Sequence, residues 1–232
     1  MEYRHENAGD FLAAQGRGVY FYAIIILTMN PENADLNPEE LKMVRTQLHT
    51  EFQSENTDRI EVALGLVDGI ADITTVGVLA RLLVSGVLRP EQRAMVTAML
   101  RDVKLEGGGA AILAEAVALQ VEMGRADLLA LAWEAGATAE DNLVKLIELA
   151  VSASFEVQIE VMTLLDELEG IEDESEWTEA CSILQEAIEE RDASETALLA
   201  EMQTILRGFE AASSCCGDGS CDGSCGGDCT CS

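Results

Sequence analysis

Bases are scarce in the second half of this chain, and cysteine is scarce everywhere before its last twenty residues. Residues 126–206 carry twenty-one acids against Lys145 and Arg191, whereas residues 1–125 carry eighteen acids and eleven bases. With a net charge of −29, the molecule repels phosphate backbones and anionic lipid surfaces, so neither nucleic acid nor membrane is expected as a direct partner. A basic protein or a cation is the partner class that remains. Cys181 is the only cysteine before residue 215, so no disulfide framework runs through the body, and a cytoplasmic setting is expected. Aromatics make up 4 % and proline is limited to Pro31, Pro38 and Pro90, a balance that favours helices over strands. The longest β-prone apolar run, Val19 to Leu27, is about half the ~20 residues that a membrane helix needs. It starts late and lacks a basic leader and a small-residue cleavage site, so neither a membrane span nor an export signal is expected. Its bulk calls for burial, as a strand, a core helix or a contact between copies in a homo-oligomer.

What is present is helical pattern. Asn37-Pro38-Glu39-Glu40 reads as a cap, a first-turn proline and a capping box, followed by Leu41, Val44, Leu48 and Phe52 on one face. A second helix is expected from Asp58, and a third over Thr75–Leu88, apolar nearly all round and therefore central. Pro90 opens a fourth, with Met95, Val96, Met99, Leu100 and Val103 towards the core. Gly107-Gly108-Gly109 precedes a helix over Ala110–Met123; such a cluster is either an anion cradle or an interhelical turn, and the lack of a phosphate-loop signature favours the turn. Shorter helices follow over Leu128–Ala135, from a Thr138 capping box, over Phe155–Leu168 and over Trp177–Arg191. A last one is capped near Asp192 or Glu195 and ends at Gly208. Nine or ten helices with short turns over residues 38–207 resemble an α-solenoid of the HEAT type or a multi-helix bundle, although no repeat of fixed length is evident. The expected fold is thus an all-α multi-helix array in three parts: an N-terminal segment 1–36, an acidic helical domain 37–209, and a tail 210–232 too poor in bulky side chains to order itself.

Motifs for catalysis are missing. His5 and His49 have no nucleophile motif beside them and read as surface residues, and Cys181 reads as a small core hydrophobe. The acidic stretch Asp166–Glu176 has seven carboxylates and no base, but nothing there implies the burial that would tune a pKa, and it fails as a calcium loop. No enzyme activity is expected.

The tail concentrates what chemistry there is. Cys215, Cys216, Cys221, Cys225, Cys229 and Cys231 alternate with Gly, Asp, Ser and Thr. As thiolates they suit soft ions such as zinc or copper(I), in the manner of metallothioneins, with glycine letting a short chain wrap its sulfurs around an ion. The last base is Arg207, while Asp218, Asp222 and Asp228 disfavour thiolate, so the metal itself would have to displace the protons. The tail also resembles the core of a ribosomally synthesised, post-translationally modified peptide. Six Ser or Thr accompany the six cysteines over residues 213–232, with 1–212 as leader and a modifying enzyme as partner. A third reading makes the chain a structural subunit that buries Val19–Leu27 against a neighbour and cross-links through its tail. The leading expectation is a non-enzymatic helical scaffold with a metal-binding thiol tail.

Overall fold

The computed structural model describes residues 37–214, apart from 68–69, 172 and 193–194; the Val19–Leu27 run and the six tail cysteines lie outside the described residues. Among the described residues there are ten α-helices and no strand, so the all-α array stands. The helices fall into two compact units, Met1–Ala137 and Thr138–Ser232.

The first unit contains α1 (Pro38–Phe52), α2 (Thr57–Leu64), α3 (Ile73–Val84), α4 (Pro90–Arg101), α5 (Gly108–Ala118) and α6 (Arg125–Glu134). Asn37 caps α1 as its sequence implies: its Oδ1 accepts from the Glu39 and Glu40 amides at 3.1 and 3.0 Å, and Glu40 reaches back to the Asn37 amide at 3.0 Å. Consecutive helices pair, α1 with α2, α3 with α4 and α5 with α6. The first members of the pairs pack in one layer, α1 on α3 and α3 on α5, while α4 packs on α6 in the other. Central placement of α3 follows from its composition, and Val76, Val78, Leu79, Ala80, Leu82 and Leu83 are all buried. Of the residues expected inward on α4, Val96 and Leu100 are fully buried, but Met95 is 45 % exposed, because the apolar stripe is wider than the contact it makes.

The pairs are tied to one another by ion pairs reaching from one pair to the next. Arg89 meets Glu61 and, at 3.5 Å, Asp58; Arg81 meets Glu115; Arg93 meets Asp127 at 3.1 Å; Arg101 meets Glu134 at 2.7 Å. Each is solvent-exposed and worth about 0–1 kcal/mol, so they set register more than stability.

A repeat of constant step emerges from the helix starts. The caps of α1, α3 and α5 are Asn37, Asp72 and Gly107, and the first helix of the second unit is capped at Asn142, a uniform step of 35 residues. The second helices keep this step only from Pro90 to Arg125; the others begin at Thr57 in the first unit and at Phe155 in the second, 33 residues before Pro90 and 30 after Arg125. The 35-residue period is therefore uniform only at the caps of the first helices.

The second unit contains the 3-10 turn η1 (Glu140–Asn142), α7 (Leu143–Ser152), α8 (Phe155–Asp166), α9 (Glu174–Glu189) and α10 (Ala197–Ser214). Here too α7 pairs with α8 and α9 with α10, while α7 packs on α9 and α8 on α10. Leu143, Leu146, Ile147, Val161, Leu164, Leu165, Leu184, Leu199, Met202 and Leu206 form its core. Two local expectations are corrected. Thr138 does not open a helix: Ala139 is fully buried and η1 intervenes before α7. Gly208 does not end α10, which continues to Ser214. Glycine inside a helix costs about 1 kcal/mol relative to alanine, too little to stop a helix that resumes with Glu210, Ala211 and Ala212.

Candidate functional site

The six sulfur donors expected from the sequence follow directly on α10, whose last helical residue, Ser214, precedes Cys215. What positions their attachment point is the α9–α10 contact. Trp177 of α9 donates its indole Nε1–H to the Leu206 carbonyl at 2.9 Å, and Gln185 of α9 accepts from both Gln203 (2.8 Å) and Arg207 (3.1 Å). The last cation before the tail is thus engaged with a helix side chain. Beyond Arg207 the sequence holds no Lys or Arg.

Among the described residues no group of His, Cys, Asp and Glu side chains is arranged to hold a metal ion. Cys181 sits half-buried on α9. The carboxylates of the 166–176 stretch are spread along the chain. Asp166 ends α8, and Asp173 caps α9 by accepting from the Ser175 and Glu176 amides at 2.8 and 3.3 Å. Asp166, Glu167, Glu169, Asp173 and Glu174 are exposed. A carboxylate at a helix N-terminus is favoured by the helix dipole, so the run's placement is explained by capping and solvation.

His49 is not a plain surface residue. It is half-buried between α1 and α3, and its Nε2 lies 3.0 Å from the Thr75 hydroxyl. Thr75, fully buried, donates both its hydroxyl and its amide to Asp72 Oδ1 at 2.9 Å. Arg45 completes the group, donating to the Ile70 carbonyl at 2.7 Å and pairing with Asp72 at 3.2 Å. Burial holds the His49 imidazole below its usual range; Asp72 pulls the other way, and the charges of Arg81 and Arg45 add to the lowering. Burial alone would raise Asp72, but the Thr75 hydrogen bonds and the charges of Arg45 and His49 outweigh it and hold the carboxyl below its ordinary value. With Thr75 fully buried, this His-Thr-Asp chain clamps α1 onto the start of α3. The i, i+4 pair Arg45 and His49 was its sequence signal, unreadable without knowing that α3 lies alongside.

A buried carboxylate, Glu51 on α1, accepts from Gln47 and from Arg59 of α2, each at 2.7 Å, with Arg59 Nε 2.5 Å from its other oxygen. Burial pushes it up, yet the Arg59 and Gln47 hydrogen bonds and the Arg59 charge leave it below the ordinary carboxylate value. It joins α1 to α2 as the Thr75 group joins α1 to α3.

The glycine cluster ahead of α5 is a packing device. Gly107 adopts φ +78°, a left-handed value that glycine takes without strain. A Cβ on Gly109 would stand 2.5 Å from the Ala137 amide nitrogen and 2.8 Å from the Ala135 carbonyl, so only glycine lets α5 approach the end of α6 this closely. The interhelical-turn reading of this cluster accounts for both residues.

No family model matches the chain, and no curated protein and no solved structure matches it.

Proposed function

We propose that the chain is a non-enzymatic, acidic helical scaffold that presents a thiol-rich tail for soft metal ions. Cys215, Cys216, Cys221, Cys225, Cys229 and Cys231 supply the thiolates, and zinc or copper(I) is the ion class they suit. The observation that carries this reading is the segregation of chemistry. The described carboxylates and His49 are absorbed in caps, clamps and solvated faces, whereas six of the seven cysteines are gathered beyond the last helix. Stacked helix pairs offer extended surfaces to protein partners. With twenty-three acids against Lys145, Arg191 and Arg207 in residues 138–232, a basic protein is the partner that this half attracts.

A metal titration monitored by thiolate-to-metal charge transfer tests the reading on the full chain. Absorbance should rise with added copper(I) until the tail saturates and should be absent when the six tail cysteines are replaced by serine. An intact mass lower by one water, or by one water and two hydrogens, per modified residue would instead support the modified-peptide precursor, because cysteines closed into thioether or azole rings no longer offer free thiolates. Intermolecular disulfides in the protein as isolated would favour the cross-linked structural subunit.

A further inference from the structure

The outer side of the first helix pair has an exposed apolar flank. In α1, Arg45 and His49 reach towards α3, which places Met43 and Gln47, about half a turn round, on the opposite side. Met43 is 48 % exposed. In α2, Asp58 and Glu61 meet Arg89 at the start of α4, while Arg59 turns back to Glu51 of α1. Val62 lies next to Glu61 on the Arg59 side and is 51 % exposed.

The helix register identifies what belongs there. One step of 35 before the Asn37 cap falls on Glu2, so residues 2–36 span one full period. Within the first unit the second helices begin 20, 18 and 18 residues after their caps, and Val19 follows Glu2 by 17. By sequence spacing, the apolar run Val19–Leu27 corresponds to the second member of a pair, one period before α2. Thr28–Leu36 provides a link reaching at most about 30 Å, ample for an adjacent position.

We infer that Val19–Leu27 docks on the Val62 flank of α2 in the same chain. The tether favours this occupant over a second copy, since a short linker holds the run at an effective concentration of about millimolar. Docking removes from water the face of the run that meets Val62, together with the exposed part of that side chain.

Photocrosslinking from position 62 tests it. The full-length chain carrying benzoylphenylalanine in place of Val62 should, on irradiation, form a crosslink within single chains onto the peptide containing residues 19–27. In parallel, Ile25→Asp should speed amide exchange in α2 by about tenfold or more while leaving α9 unchanged. A crosslink that doubles the mass would assign the flank to a second copy and overturn the inference. So would a crosslink to any other segment, or α2 exchange that Ile25→Asp leaves unaltered.

Discussion

At Gly109 a single missing methyl group decides how α5 meets α6. Gly109→Ala gains helix propensity of about 1 kcal/mol but drives its Cβ into the backbone at Ala137, so a net loss of about 1–3 kcal/mol is expected in chemical denaturation. Gly208→Ala, with nothing within contact distance, should instead stabilise α10 by about 0.5–1 kcal/mol, and opposite shifts in midpoint check the pair. The clamp at Thr75 makes a second residue-scale prediction. Thr75→Val leaves Asp72 and His49 without their shared partner and should cost about 1–3 kcal/mol. His49, Asp72 and Glu51 all titrate below their ordinary values in the fold. Each therefore contributes stability that is present above its unfolded pKa and is lost as pH falls through its folded one. His49 acts first, below about pH 6.5, and the carboxylates follow below about pH 4. Urea midpoints of the wild type and His49→Gln should accordingly converge as pH is lowered from about 7 to about 5, and a gap that widened would contradict the assignment.

Helix starts, more than helix faces, organise the elements. Asn37→Ala removes the one oxygen that accepts from two amides at the head of α1 and should cost about 0.5–2 kcal/mol, with amide exchange rising first in Glu39 and Glu40. Much of this level was readable in the sequence. The Asn37 capping box, Pro90, Gly136 and the apolar run of α3 announced their elements, because short-range hydrogen bonding and one-sided burial write themselves into adjacent residues. The 35-residue period was not readable, because its markers are chemically unlike: Asn37, Asp72 and Asn142 are polar, and Gly107 has no side chain. The second helices also drift in phase, so matching core positions do not align. Likewise Gly208 resembled a stop, since a glycine ends a helix only where the following residues do not resume it.

On the scale of the whole chain, charge and sulfur are divided unequally. The second half, with its twenty-three acids and three bases over residues 138–232, carries self-repulsion that salt screens. Raising sodium chloride from about 0.02 M to about 0.5 M should therefore slow amide exchange in α9 and α10, whereas α4, whose Arg93 and Arg101 are paired with acids, should change little. The six tail thiols were plain from the sequence, and so was the absence of Lys and Arg after Arg207; that they take a soft metal ion is the proposal's central claim, and helical packing does not encode it. Native mass spectrometry of the full-length chain after exposure to zinc or copper(I) addresses that claim most directly. The account predicts an unmodified protein mass plus bound metal, lost when Cys215, Cys216, Cys221, Cys225, Cys229 and Cys231 are replaced by serine. Metal retained by that serine variant, or a protein that binds none with its six thiols reduced, would contradict it.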